Sequence, residues 1–484
     1  IIMNLSQPNA ISPPEPLSKR GDFVLVDTVF RDYDIRGLAY SELNEEFALR
    51  LGRALGQLAL KRDQRSIYIA RDGRLSSAEL AEALSNGLRL SGCEVINLGE
   101  STTPILNFAI HHRAKVTCGV MVTASHNPGP YNGFKIVLEK DVISGHGLQE
   151  LKAMMSANHF PSQIKAKLTN LEITPQYLEH IISDSRVNYP FKLVIDGGNA
   201  VAGQIAVSLF ERLGCVVEPL FCEVDGNFPN HDPNPSDEKN LKALITKVKA
   251  TQAELGLAFD GDGDRLVVVT GNGKIVWPDR LMMIFVKGIL QDYPGSPIVF
   301  DVKSSKRLTE IVEECGGVPV LSKTGHAHIR KSVQENNALI GGEFSGHIFF
   351  NDRWSGFDDG LYAAARLLEI LCDQEIPATS LNQLVSEFRT SSYTPEILVP
   401  VPETAKFELM DTLTNRCLFT DATINRVDGM RVEYEQGWGL VRPSNTTPNL
   451  TLRFEAEDEI QLEEIKQHFR KELKPFINHI EDYI

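Results

Sequence analysis

The chain has 484 residues, too many for one hydrophobic core, so several domains are expected. Its 42% hydrophobic and 23% charged residues are ordinary for a globular protein in water. A net charge of -15 argues against nucleic acid or an anionic membrane surface as partner, and admits a small anionic substrate only where basic side chains gather in one cleft.

No apolar run approaches the roughly 18 residues needed to cross a bilayer, and the N-terminus lacks the basic-then-apolar pattern of a secretory signal. Residues 1–22, rich in Pro, Ser and Asn, are expected to form a flexible leader, with Met3 the natural start. Seven scattered cysteines (Cys93, Cys118, Cys215, Cys222, Cys315, Cys372, Cys417), with no C-x-x-C pair, read as free thiols of a reducing cytoplasm.

From residue 67 onward one pattern recurs three times. A β-rich run ends in aspartate at 67–72, 193–196 and 298–301. A helix-period stretch follows at 76–90, 203–213 and 306–314, and each stops at glycine (Gly92, Gly214, Gly316) before a second β-rich run. Strand, helix and strand with short connections make a parallel unit. In each copy a third run, at 119–122, 255–259 and 338–340, feeds a polar loop, and loops at the carboxyl ends of such strands can converge on one cleft. After about residue 388 the pattern changes to antiparallel strands at 427–434, 439–441 and 449–455, then an amphipathic helix at 459–473. The expected fold class is α/β: three similar mixed α/β repeats and a smaller α+β C-terminal domain around a central cleft. The expected boundaries are 23–171, 172–275, 276–388 and 389–484.

The loop of the first copy, Thr123-Ala124-Ser125-His126-Asn127-Pro128, holds one hydroxyl at a strand end, with Lys135 ten positions on. Ser125 there either caps its turn or acts as a nucleophile. In the second copy Asp260, Asp262 and Asp264 alternate with glycine. Three carboxylates so close repel one another unless a cation sits among them, and oxygen-only ligands favour Mg²⁺ over Ca²⁺. An EF-hand is excluded, because the sixth loop position is Arg265 and the twelfth Gly271. A strand followed by D-x-D also suits a phosphatase with Asp260 as nucleophile. In the third copy Glu343, Ser345 and His347 alternate, and in an extended chain they would share one face suited to sugar hydroxyls. In the last domain Arg442, Ser444, Asn445, Thr446 and Thr447 form a run of donors matching a phosphate. In the run Tyr33-Asp34-Ile35-Arg36-Gly37 an arginine before a glycine is a second candidate anion contact, and Lys303 and His326 follow strands of the third copy.

The motifs T-A-S-H-N-P, D-G-D-G-D-R, G-E-F-S-G-H and R-P-S-N-T-T-P, in this order, resemble those of the α-D-phosphohexomutase family over nearly the whole chain. The last two resemble the bacterial phosphomannomutase/phosphoglucomutase branch more than the phosphoglucosamine mutases, which more often carry a glycine and an acid in the last loop. The resemblance implies a heart-shaped four-domain enzyme, with phosphoryl transfer between C6 and C1 of a hexose through a hexose 1,6-bisphosphate. It makes Ser125 the phosphorylated residue, with Asp260, Asp262 and Asp264 holding one Mg²⁺ against its phosphate and Arg265 beside it. It makes Lys135 and His347 general acid/base candidates, and assigns Glu343 and Ser345 to the sugar hydroxyls. Arg442, Ser444, Asn445 and Thr446 would bind the substrate phosphate, and Tyr33, Arg36, Lys303 and His326 would be further substrate contacts. The partner it implies is a small phosphosugar, the chain acting as a monomer, with a dimer as the alternative. Phosphoglucosamine mutase, an aspartyl-phosphate phosphatase using Asp260 and a non-catalytic sugar-phosphate sensor are the competing functions.

Overall fold

The computed structural model describes residues 24–484 except 114, 162–164, 375–376, 403 and 446, and gives only the backbone of 377–380. The expected leader, 1–22, and Thr446 of the candidate phosphate loop therefore lie outside the described residues. No described helix is long and apolar enough to cross a membrane.

The described strands form four sheets, and the first three repeat one order. In each, the first strand of the copy lies between the third and the second, parallel to both. Ser66–Arg71 lies between Gly119–Val122 and Glu94–Glu100. Lys192–Asp196 lies between Leu255–Phe259 and Val216–Leu220, and Pro297–Asp301 between Ile340–Gly342 and Val318–Ser322. Helices Ser77–Leu90, Ala202–Arg212 and Lys306–Glu314 make the crossovers that parallel pairing requires. The glycines after them, at φ of +93°, +89° and +74°, stop each helix in a conformation costly for a side chain with a Cβ.

The third strand of each copy then pairs antiparallel with the strand that follows it: Tyr131–Leu138, Leu266–Thr270 and Ile348–Phe350. The three chemistry-bearing loops are thus equivalent hairpin connections at the carboxyl ends of equivalent strands. In the third copy the strand starts at Ile340 rather than 338, because the Ala338 N–H is taken by Val333 O at the end of the preceding helix.

Side-chain alternation divides the first sheet between two cores. Ile67 and Ile69 pack under the helices Glu45–Lys61 and Ser77–Leu90. Tyr68, Ala70 and Met121 face the other way, into a core continuous with the second and third sheets and with the helices Pro278–Asp292 and Gly360–Cys372. The first three repeats therefore share one apolar interior.

The C-terminal sheet has its own core under the helices Lys406–Arg416 and Glu459–Leu473. The strand expected from 427 begins at Met430, because Asp428 turns away to bond Arg442 and the Thr324 N–H. A buried polar network docks this domain on the third repeat. Arg431 Nη1 donates to Val302 O (2.6 Å) and Ser304 O (2.7 Å), Arg453 donates to Lys303 O, and Ser305 Oγ donates to Glu455 Oε1 (2.6 Å). The seven cysteines are free thiols, five of them buried.

Candidate active site

The loop after Gly119–Val122 turns on Ser125, whose φ of +51° lies in the left-handed region that non-glycine residues seldom occupy. Such a conformation persists where neighbours over-determine it, and it clusters at functional sites. The Ser125 N–H donates to Thr123 Oγ1 (2.8 Å), and Thr123 Oγ1 donates in turn to Asp72 Oδ2 (2.6 Å). Thr123 thus does the turn-capping that Ser125 would otherwise do. The buried Ser125 hydroxyl points away from its own turn and donates to Asp260 Oδ2 at 2.7 Å, with His126 Nδ1 3.3 Å away.

The aspartate loop, residues 260–265, approaches the Ser125 loop at Gly261, where a Cβ would lie 2.1 Å from Ser125 O. Asp260 Oδ1 accepts the Gly263 and Arg265 N–H groups (3.0 and 3.2 Å), which curls the loop. Lys135 Nζ bridges Asp262 Oδ2 and Asp264 Oδ2, both at 2.6 Å, and Thr103 donates its hydroxyl to Asp262. One ligand atom from each of Asp260, Asp262 and Asp264 lies within 4.8 Å of the others, all three residues being buried.

The electrostatics express unmet demand for positive charge. Burial, then the Asp264 and Asp262 carboxylates, pushes Asp260 up to about 8. Burial also works against a charged Asp262, but Lys135 outweighs it and holds that carboxyl below its ordinary range. Burial likewise opposes the Lys135 charge, yet Asp262, Asp264 and Asp260 raise it above the usual lysine range. So long as it carries those ion pairs, Lys135 stays protonated and is not available as a base. Asp262 Oδ1 and Asp264 Oδ1 are buried with no hydrogen-bond partner among the described residues. A hard divalent cation fits this donor set of carboxylate oxygens.

His347 stands across the same cluster. Its Nε2 accepts from Arg265 Nε at 2.9 Å, so the neutral imidazole carries its proton on Nδ1, which lies 2.7 Å from Asp358 Oδ2 and 3.4 Å from Asp264 Oδ1. Burial works against protonation here, but Asp264 and Asp358 outweigh it and raise the imidazole above its ordinary value. Arg265 Nε is also 3.7 Å from Asp260 Oδ2.

The loop of the third repeat corrects the extended reading of Glu343, Ser345 and His347. Residues 343–347 form a tight turn in which the Glu343 N–H donates to His347 O (2.9 Å) and Gly346 takes φ +105°. The turn brings Ser345 Oγ to donate to Glu343 Oε1 at 2.7 Å and sends His347 to the acidic cluster. Asp301 supports it from below, accepting the Phe344 N–H (3.1 Å) and the Ser304 and Thr324 hydroxyls, and burial pushes its carboxyl up to about 6.

Tyr33 packs edge-on against His326 at 4.8 Å between ring centres, and His326 lies 5.5 Å from the His347 ring. Arg36 is tied to the serine loop, donating to Asn127 Oδ1 at 2.8 Å and pairing with Asp34. Lys303 pairs with Glu396 of the C-terminal domain (2.9 Å). Arg442 Nε donates to Asp428 Oδ2 at 2.8 Å, and the same oxygen accepts the Thr324 N–H, fixing the phosphate-type loop against the third repeat. Below that loop the buried Lys406 donates to Ser444 O (2.6 Å) and Thr447 O (3.1 Å). Asn445 reaches toward Asp32 at 3.5 Å.

Motif reading did not single out Arg74, Thr103, Asp358, Lys406 or Asp428. Each acts from a neighbouring element on a residue that a motif names, and all five stand outside the motif loops. The Asp72-Gly73-Arg74 turn at the end of the first strand was the one signal available for Arg74.

The models for the four domains of phosphoglucomutase/phosphomannomutase match in order. The α/β/α domains I, II and III match residues 27–161, 175–273 and 277–390, and the C-terminal domain matches 396–472. The chain belongs to the α-D-phosphohexomutase family. A phosphomannomutase/phosphoglucomutase of Pseudomonas syringae pv. tomato is 49% identical over 93% of this chain and 96% of its own length. A phosphoglucomutase of Neisseria meningitidis serogroup A is 44% identical over 91% and 96%. A crystal structure of a phosphoglucomutase/phosphomannomutase family protein from Burkholderia thailandensis superposes with a TM-score of 0.88 at 42% identity, covering 94% of this chain and 98% of the other. The family fold accounts for the three equivalent hairpin loops and the separate C-terminal wall.

Proposed function

We propose that the chain is a reversible hexose phosphate mutase, an isomerase moving a phosphoryl group between C6 and C1 of glucose and mannose phosphates. The observation that carries this reading is where buried polar atoms lack partners. Arg36 Nε, Asp262 Oδ1, Asp264 Oδ1, His326 Nε2, Glu343 Oε2 and Arg442 Nη2 are all in this state among the described residues, and all belong to the motif-derived candidate set. Such atoms occur elsewhere in the chain as well, but buried polar groups are ordinarily paired, and this mixture of cationic, imidazole and carboxylate atoms among the candidate residues suits a ligand bearing both phosphate and hydroxyl groups.

In the proposed cycle phospho-Ser125 gives its phosphoryl group to the C1 hydroxyl of hexose 6-phosphate. The P–O bond to Ser125 breaks as the bond to O1 forms, the O1 proton leaves, and the Ser125 oxygen ends as the hydroxyl. The resulting hexose 1,6-bisphosphate turns over and returns its 6-phosphoryl group to Ser125, leaving hexose 1-phosphate. Asp260, Asp262 and Asp264 would hold Mg²⁺, which supplies charge neutralisation for the phosphoryl oxygens when bound. Arg265 adds a second positive charge beside Asp260, while His347, neutral at Nε2 and backed by Asp358, can take the hydroxyl proton. Arg442, Ser444 and Asn445 hold the phosphate that is not reacting. Glu343 and Ser345, paired within one turn, serve the sugar hydroxyls in either orientation of the ring. Free thiols and the lack of a long apolar helix among the described residues fit a cytoplasmic enzyme.

The test is a coupled assay with glucose 1-phosphate and mannose 1-phosphate, Mg²⁺ and a trace of hexose 1,6-bisphosphate, alongside mass spectrometry of the Ser125 peptide. Formation of 6-phosphates and acid-stable phosphate on Ser125 are expected. Release of inorganic phosphate with acid-labile phosphate on Asp260 would establish the phosphatase instead.

A further inference from the structure

We propose that Arg74 is a positioning residue for phosphoryl transfer at Ser125, acting through the shape of the serine loop. The proposal rests on the reading of Ser125 as the phosphate carrier. Arg74 follows the first strand of the first repeat, and its side chain is fully buried. Every N–H of its guanidinium is committed. Nη2 donates to Ser125 O (2.8 Å) and Asn127 O (2.6 Å), Nη1 to Pro128 O (2.8 Å) and Tyr131 O (3.1 Å), and Nε to Asp72 Oδ2 (3.0 Å).

One planar fork thus gathers the carbonyls of residues 125, 127, 128 and 131, and sets the curvature that holds Ser125 at positive φ with its hydroxyl toward Asp260. Asp72, which balances the guanidinium charge, also receives the Thr123 hydroxyl that caps the Ser125 N–H. The second repeat closes over this assembly. The Phe228 ring covers the guanidinium at 5.1 Å, and a Cβ at Gly226 would lie 2.6 Å from Gly73 O. The element that carries the nucleophile is therefore locked to the domain that carries the metal loop. Lysine in place of Arg74 would keep the charge but lose the planar fork, since an ammonium has three donors on a flexible stem.

Because Arg74 reaches no part of the substrate cleft directly, its loss should act on transfer and not on sugar-phosphate binding. In steady-state assays Arg74→Lys is expected to lower kcat by about 100-fold, the cost of a misplacement near 1 Å, with KM changed by less than about 2-fold. Intact-mass measurement should show slower phosphorylation of Ser125 by glucose 1,6-bisphosphate in a variant with a folded thermal transition. Phe228→Leu, which leaves all the hydrogen bonds in place, should show the same split to a smaller degree and decides the matter if Arg74→Lys does not fold. An unchanged kcat in the folded variant, or a raised KM at unchanged kcat, would overturn the proposal. Ser125→Ala is run in parallel: if it keeps activity, the reading of Ser125 fails; if it is inactive while Arg74→Lys is normal, only the role of Arg74 fails.

Discussion

The Ser125 hydroxyl donates a 2.7 Å hydrogen bond to Asp260 Oδ2 across 135 residues of chain. It joins the loop of one repeat to the equivalent loop of the next, at the point where Gly261 lets the two backbones approach. Asp260 is at the same time the carboxyl that burial and its two acidic neighbours push up to about 8, so the cluster gains most from an added cation there. Dialysis against EDTA should abolish mutase activity and Mg²⁺ should restore it. The thermal midpoint of the EDTA-treated protein should rise with Mg²⁺ concentration, as binding to the folded state alone requires. In Asp260→Asn the apo midpoint should hold or rise, because the uncharged form that burial and the neighbouring carboxylates already favour there is made permanent, while the Mg²⁺-induced rise shrinks. An undiminished Mg²⁺ shift in that variant would remove Asp260 from the metal site.

The first residue of the helix Gly360–Cys372 sits directly on the aspartate loop, residues 260–265. The Gly360 N–H donates to Gly263 O at 3.2 Å, and a Cβ there would meet Arg265 O at 2.6 Å and Gly263 O at 3.0 Å. These are backbone atoms of the loop that holds the carboxylates, so the clash is not relieved by a side-chain rotation. Gly360→Ala is expected to cost about 1–3 kcal/mol of stability, the usual range for overpacking, and to weaken Mg²⁺ dependence of activity. Urea titration with a parallel Mg²⁺ titration of rate checks both. Normal values in each would mean that the helix shifts without moving the loop.

The repeat and the four loops were legible in the sequence because each carries a local signal. β-rich runs ended in aspartate, glycines stopped the helices, and motif residues sat at fixed spacing, so Ser125, the aspartates and the 343–347 run could be placed on connections of equivalent strands, with Arg442 in the separate last domain. What the sequence withheld were contacts made at long chain separation. Nothing near residue 103 says that Thr103 will donate to Asp262, and nothing near 406 says that a lysine will lie under the 444–447 carbonyls. The alternation of Glu343, Ser345 and His347 misled for a related reason. Period-two spacing marks one face only in an extended strand, whereas here Gly346 at positive φ closes a turn, and the pair that results, Glu343 with Ser345, comes from the turn and not from the period. The sharing of one core by three repeats was hidden too, since each apolar run reads alike whether its face meets its own helix or a neighbouring domain.

Arg442 spends Nε on Asp428 and leaves Nη2 buried without a partner among the described residues. An anion bound there would gain a charge-assisted hydrogen bond that the free protein does not make. Arg442→Ala should raise KM for hexose 1-phosphate by about 10- to 100-fold, the value of one or two hydrogen bonds to a charged group, with a smaller change in kcat. Steady-state kinetics on both glucose and mannose 1-phosphate would check it. An equal fall in kcat with unaltered KM would instead place Arg442 in the transfer step.

His231 gives the folded protein a pH-dependent contact with Asp196. Its Nε2 lies 3.2 Å from both oxygens of Asp196, at the end of the first strand of the second repeat, and Nδ1 is 2.7 Å from Asp232 O. A carbonyl can only accept, so Nδ1 carries a proton, and Nε2 can donate to Asp196 only when the ring carries both. Burial opposes the imidazolium, but the hydrogen bond and charge of Asp196, with a contribution from Asp232, raise His231 above its ordinary value. With the folded value above the unfolded one, the folded state binds more protons in this range. The contact then stabilises fully below the unfolded value, about 6.5, and the stabilisation fades as pH rises through the folded value. The thermal midpoint of the parent should therefore exceed that of His231→Gln most at about pH 5.5, with the gap narrowing by about pH 8.5. Comparing the two proteins at each pH cancels the titration of other groups. A gap that widened toward alkaline pH would show that His231 is held as the neutral ring, and that Asp196 binds it for its shape and not its charge.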